Sequence, residues 1–339
     1  MCGVNTYVPK IYPPTPIALY HFIKELKKYD LILVSGGTPL YDYDYLSKIF
    51  TMYMPHLLKI PLVFFGISSK PIYSKFGKFL TKNIVNISKF ISVREPFSKY
   101  LLKSIGVERE IKLTGDSALA IEPPNHQVGR SILREKGLKP SDSIIGICPR
   151  YLSLDYKRHH HEPVTEYQIK KTVSELSKLV VSLVNDGYKI CLIPYHTVPP
   201  DDDRAMIKDI CKNISDKSIL EDQIIVIDNV SNPREMLSLM GNLSLNIGMR
   251  LHSLILSASQ SVPSIAIDYD MKISGFMRYC GLSDYNIPID KVSRDVIFNK
   301  IKLIEENMSS IKAQISQRIS YMKEAIENAA NEVMEILEI

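Results

Sequence analysis

Apolar residues fall into two rhythms along the chain. Short runs rich in β-branched and aromatic residues are separated by longer stretches in which apolar positions recur every three or four residues. The first rhythm belongs to strands buried on both faces and the second to helices laid against them, so their alternation predicts an α/β chain with parallel sheets wrapped by helices. Strands are expected at Leu31–Ser35, Leu62–Ile67 and Phe90–Val93 in the first half. In the second half they are expected at Ile144–Cys148, Tyr188–Ile193, Ile224–Ile227, Leu243–Ile247 and Ile265–Asp268. Two sheets, hence two domains, suit a length of 339 residues.

Residues 121–142, where Pro123, Pro124, Gly129, Gly137 and Pro140 interrupt a short helical piece, read as a linker between a first domain at 1–120 and a second at 143–290. In the remainder, 291–339, apolar residues at Met308, Ile311, Ile315, Ile319, Met322, Ile326, Ala329 and Val333 form a helical stripe. A helix of that length can cross back to the first domain; coiled-coil pairing with a partner is the competing use of the stripe. The front of the first domain looks abbreviated. A unit of this type opens with a strand and a glycine turn, yet the residues before the first clear strand carry Pro9, Pro13, Pro14 and Pro16.

Composition narrows the field. Apolar residues make up 45% of the chain in short bursts, with no run long enough to span a bilayer and no leader pattern at the front, so a cytoplasmic location is expected. The net charge of +5, from 42 basic and 37 acidic residues with neither sign gathered into a block, does not call for nucleic acid but leaves room for a basic cleft around a small anion. The five cysteines, Cys2, Cys148, Cys191, Cys211 and Cys280, lack CxxC spacing and suggest core packing, with neither a zinc site nor a disulfide framework. The run Lys157-Arg158-His159-His160-His161 reads as a solvated loop because no acid or Cys stands beside it at ligand spacing.

The most informative segment is Leu245 to Ala258, LNIGMRLHSLILSA, a strand that ends at Gly248 and a helix that begins almost at once. Glycine permits a tight turn there, and ligands of open α/β sheets bind outside such strand ends, where a helix N-terminus offers free N–H groups to an anion. Arg250 would add a two-pronged cation for phosphate or carboxylate. Arg250 and His252 are two residues apart and would face opposite sides of a regular helix, so both can serve one cleft only if Arg250 stands on the turn. Gly36 and Gly37 follow the first strand, where they can let backbone approach a ligand or simply turn. Tyr41, Tyr43 and Tyr45 beyond them could stack on sugar rings or begin a helix. Arg94 reads equally as a ligand cation and as a carboxylate's partner, and Asp116 fits an N-cap.

The string GMRLHSLILSA resembles the signature of the polysaccharide pyruvyl transferase family. Further landmarks in that family's order are LILVSGG with Gly36 and Gly37, ISVRE with Arg94, LTGDSAL with Asp116, IGICPR with Arg150, and IPYH with His196 followed by Asp201, Asp202 and Asp203. The resemblance implies two Rossmann-like domains similar to the GT-B glycosyltransferases, phosphoenolpyruvate as donor, and a pyruvate ketal on a sugar as product. It implies Arg250, Leu251 and His252 as donor contacts, Lys272 as a further cation, and either Arg94 or Arg150 as another. Within that chemistry His252 is the candidate acid and base, with His196 or an acid of the 201–203 run as helper. No cofactor or metal is required. The implied acceptor is a glycan or lipid-linked saccharide, compatible with peripheral association at the inner face of a membrane and with a homo-oligomer. A nucleotide-sugar glycosyltransferase of the same architecture and a non-catalytic glycan-binding relative are the alternatives.

Overall fold

The computed structural model describes residues 15–337 apart from 123, 153–163, 200, 228–229 and 231. The chain divides into two compact units, Met1–Ser117 with Lys323–Ile339, and Ala118–Met322. The Lys157–His161 run lies outside the described residues.

In the first unit β1 (Ile32–Ser35), β2 (Leu62–Ile67), β3 (Phe90–Val93) and β4 (Lys112–Leu113) form a parallel sheet in the order β1-β2-β3-β4. The run LVFFGI of β2 is unbroken because both of its faces are covered. Leu62 and Phe64 join a core with Ile84, Val85 and Leu102, while Val63 meets Phe90, Ala329 and Val333. By contrast β1 is an edge strand whose burial alternates, leaving Leu33 exposed. The helix Pro16–Leu26 precedes it, so Pro16 opens a helix at the position where its missing N–H has no intrahelical role.

The second unit holds six parallel strands, β5 (Ile144–Cys148), β6 (Lys189–Leu192), β7 (Ile224–Val226), β8 (Leu245–Gly248), β9 (Ser264–Asp268) and β10 (Asn286–Pro288). Their order, β7-β6-β5-β8-β9-β10, is that of a Rossmann-like sheet, with growth reversing direction between β5 and β8. All eight expected strands are present, shifted by one or two residues at some ends. The two that the pattern missed, β4 and β10, have two and three residues, too few for a period to register, and β10 ends on a proline at the sheet's edge. Cys148, Cys191 and Cys280 are buried free thiols.

The expected linker at 121–142 is a packed part of the second unit. Its helix Gln127–Glu135 lies against the helix Pro233–Met240, and Leu133 and Leu138 join that unit's core. Gly129 makes the approach possible. A Cβ there would stand 2.3 Å from the Ser238 carbonyl oxygen, and its N–H donates to Ser238 Oγ at 2.9 Å. The glycine that looked like an interruption is therefore a contact point.

The 291–339 segment forms two helices, Arg294–Glu306 and Met308–Leu337, with the break at Asn307, and the stripe lies on the second. Seven of its positions, Ile311, Ile315, Ile319, Met322, Ile326, Ala329 and Val333, are buried, so the stripe is spent on packing within the chain. Lys112 pairs with Glu332 where the last turns meet β4.

Candidate functional site

The reversal in strand order places Cys148 at the end of β5 directly beside Gly248 at the end of β8. Arg150 and Arg250 each stand two residues further on, at equivalent points of adjacent strands. Gly248 does not have a left-handed backbone, contrary to the turn expected of it. It is needed for closeness, since a Cβ would lie 2.5 Å from Ser253 Oγ and 2.8 Å from Leu254 Cδ2.

Arg250 has an extended backbone (φ −91°, ψ 128°) and occupies the N-cap of the helix Leu251–Ser259. The spacing condition set by the sequence is thus met: Arg250 is on the turn and His252 in the first helical turn. His252 is exposed, while Leu251 is buried and can offer a ligand at its N-terminal position mainly its backbone N–H.

The guanidinium of Arg250 is bonded within the protein. Its Nε donates to Asp203 Oδ2 at 2.9 Å, and its Nη2 donates to Asp203 Oδ1 at 2.5 Å and to the Asp201 carbonyl at 3.1 Å. Asp203, fully buried, also accepts from the backbone N–H groups of Tyr151 at 2.9 Å, Tyr195 at 3.2 Å and His196 at 2.9 Å. One carboxylate thereby ties together the loops after β5, β6 and β8. Both oxygens of that carboxylate are committed to donors, so its place in the fold is structural. Asp202 is likewise occupied, capping the helix Asp203–Lys212 and pairing with Arg204. These two members of the 201–203 run are therefore engaged in holding the loops and the helix start. His196 is exposed, with Nδ1 3.2 Å from the Asp201 carbonyl.

Arg150 is held from the other side. It bonds the Tyr269 hydroxyl, and its guanidinium carbon lies 5.0 Å from the centre of that ring. Burial pushes the Tyr269 phenol up to about 12, against the opposing pull of Arg150; Asp270 raises it and Arg250 lowers it. The contact between Arg150 and Tyr269 joins the loops after β5 and β9 across the end of β8, which lies between those strands. Lys272 lies in the first turn of the helix Met271–Tyr279, its Nζ 3.6 Å from Asp270 Oδ2, and Asp270 caps that helix through the Lys272 N–H. The helices beginning at Asp203, Leu251 and Met271 all start at this edge, adding partial positive charge to it. Tyr269 and the anchoring role of Asp203 were not legible in the sequence. The one available signal for Tyr269 was an aromatic standing immediately beyond a buried strand, between two acids.

Of the two alternative cations, Arg150 shares the second unit with Arg250 and Lys272, and Arg94 lies in the first. Arg94 is buried, donating from Nη1 to Asp116 Oδ2 at 2.7 Å and from Nε to Ser68 Oγ and Glu95 Oε2. Burial raises the Glu95 carboxyl, while Arg94, Ser98 and Ser68 oppose the shift. Asp116 accordingly carries an ion pair just before the short turn Ser117–Ala120. Gly36 and Gly37, at the end of β1, both adopt left-handed backbones (φ 64° and 61°) with open space where a Cβ would sit, so conformation and not crowding calls for glycine. Tyr41 and Tyr43 stack at 4.0 Å, and Lys48 Nζ lies 4.0 Å from the Tyr41 ring centre and donates to the Tyr41 and Tyr43 carbonyls. These tyrosines are engaged with one another and with Lys48, and Tyr45 begins a helix.

The profile of the polysaccharide pyruvyl transferase family matches residues 4–271. The amylovoran biosynthesis protein AmsJ of Erwinia amylovora is 22% identical over 313 residues, covering 90% of this chain and 72% of AmsJ. Among solved structures, a UDP-GlcNAc 2-epimerase from Neisseria meningitidis bound to UDP-GlcNAc superposes with a TM-score of 0.60 at 14% identity, over 97% of this chain and 84% of that one. A trehalose 6-phosphate synthase from Burkholderia multivorans gives 0.56 at 10% identity, over 95% and 74%. At such identities the structural likeness is one of GT-B-like fold alone, whereas the family match spans most of the sequence. The chain belongs to the polysaccharide pyruvyl transferase family.

Proposed function

We propose that this chain transfers the pyruvyl group of phosphoenolpyruvate to two hydroxyls of one sugar, in a cell-surface polysaccharide or its lipid-linked precursor, and does so in the cytoplasm. The observation that carries the reading is the placement of Arg150, Arg250 and Lys272 on the loops and helix starts that follow the adjacent strands β5, β8 and β9, beside the exposed His252. The donor bears a phosphate and a carboxylate, and three fixed cations with three helix N-termini suit such a dianionic group. Asp203 already neutralises part of Arg250 and Asp270 part of Lys272, so Arg250 offers chiefly its Nη1 edge and Arg150 stands beside them as the third cation.

His252 as an imidazolium would protonate the methylene carbon, leaving an electrophilic carbon beside the carboxylate. One sugar hydroxyl adds to that carbon, the bond from carbon to the phosphate oxygen breaks, and the second hydroxyl closes the ketal. Of the two hydroxyl protons, one restores His252 and the other leaves with phosphate. Asp203 and Tyr269 contribute by fixing the two arginines, so that little reorganisation is left for the moment of reaction.

Calorimetric titration with phosphoenolpyruvate and, separately, with nucleotide sugars tests the reading. Binding of phosphoenolpyruvate that vanishes in Arg150→Ala is expected; binding of a nucleotide sugar with none of phosphoenolpyruvate would overturn it. Arg150 is the cleaner probe because replacing Arg250 also strips Asp203 of its partner.

A further inference from the structure

Residues 45–94 contain seven lysines and Arg94 but no aspartate or glutamate. Lys48 and Arg94 are buried, and the other six lysines leave this stretch of the chain basic at its surface. Within it lies the helix Lys75–Ile87, capped by Ser74 through the Gly77 N–H. Its inner face buries Gly77, Leu80, Thr81, Ile84 and Val85. Its outer face is not polar throughout, as a helix serving only the core would be. Phe76 and Phe79 are 52% and 66% exposed, and no other phenylalanine among the described residues is an exposed large apolar side chain. Helical spacing sets Phe79 at the middle of that face, between Lys75, Lys78 and Lys82. Tyr73, just before the cap, is also exposed, and Phe76 touches the Tyr45 ring edge-on at 5.1 Å between centres.

We propose that this face seats the protein on an anionic lipid surface. Exposed aromatics surrounded by lysines are what an interfacial helix presents to lipid: the rings enter the boundary between headgroups and acyl chains while the ammonium groups meet headgroup phosphates. The charge argues for a lipid over an apolar protein partner, since lysines are depleted from protein interfaces. The acids near the face are few. Glu108 pairs with Lys82 at 3.2 Å, and Asp42 is occupied by Ser74, Tyr45 and the Tyr73 N–H. The surface stands independently of the donor chemistry, and it would bring the chain to an acceptor carried on lipid.

Co-sedimentation of the full chain with vesicles tests this, using phosphatidylcholine alone and phosphatidylcholine mixed with phosphatidylglycerol. Binding to the mixed vesicles only, weakened by added salt, is expected. Removing one lysine charge should lower partitioning about fivefold, and Lys75→Gln with Lys78→Gln by at least tenfold. Phe76→Gln with Phe79→Gln should do the same while leaving phosphoenolpyruvate affinity unchanged, so the fate of the surface is read apart from that of the donor site. Absence of binding to mixed vesicles, or binding that survives the phenylalanine changes, would overturn the proposal. So would dextran sulfate capture that survives them, which would point to an acidic macromolecule.

Discussion

Both units build the same device, an arginine beyond a strand end locked onto a buried aspartate, yet they use it differently. In the first unit Arg94 and Asp116 are enclosed with Ser68, Glu95 and Ser98 beside a sheet whose order never reverses. In the second, Arg250 and Asp203 stand where the order does reverse, with Arg150, Lys272 and His252 around them. Only the reversal separates the helices that follow neighbouring strands, sending one to each face and leaving a crevice between. A buried ion pair thus acts as a staple in one sheet and as the floor of a candidate site in the other, and topology makes the difference.

The largest effect should come from cutting the two staples. Asp203→Ala leaves a guanidinium and three backbone N–H groups without their acceptor, and should cost about 3–5 kcal/mol in denaturant unfolding and abolish donor binding. Asp116→Ala leaves Arg94 bonded to Ser68 and Glu95, so a loss of about 1–3 kcal/mol with donor binding retained is expected. Equal damage to donor binding from both would erase the distinction between the sheets.

Next in size is the acid and base. His252→Gln should reduce turnover roughly 100-fold while sparing affinity for phosphoenolpyruvate, as steady-state rates and calorimetry would show. Unaltered turnover would remove His252 from the chemistry. Tyr269→Phe is a finer probe of convergence in the second unit. Loss of the hydroxyl frees Arg150 from one side and should weaken donor affinity about tenfold, with unfolding stability little changed.

The smallest signature belongs to the first unit. Burial lowers the Lys48 ammonium to about 8, although Asp42 and Asp44 favour its charge. The folded state then sheds the proton at a lower pH than the unfolded chain does, so stability should rise as pH climbs from about 8 towards the ordinary lysine value near 10.4. Lys48→Met should flatten that rise in paired unfolding titrations; an identical slope would mean that Lys48 keeps its proton in the fold.

Several of these groups were legible because local chemistry announced them. Gly248, Arg250 and His252 sit in one short string whose strand-to-helix switch is written in its hydrophobic pattern, and Arg150 ends a buried run. Tyr269 and Asp203 were obscure because their meaning lies in partners 119 and 47 residues away in sequence. The same holds for Gly129, whose purpose is a helix more than a hundred residues downstream.

By itself the sequence determined the α/β class, eight of the ten described strands, the buried stripe of the C-terminal helix and the string that marks the family. These depend on periodicity and on residues adjacent in the chain, which secondary structure expresses directly. Tertiary structure alone decided which way each sheet grows, that the helix Gln127–Glu135 packs into the second unit, that Asp203 anchors Arg250, and that Arg150 meets Tyr269. Those outcomes depend on which strand ends become neighbours and on which charges must be paired once water is excluded, and neither is fixed by spacing along the chain.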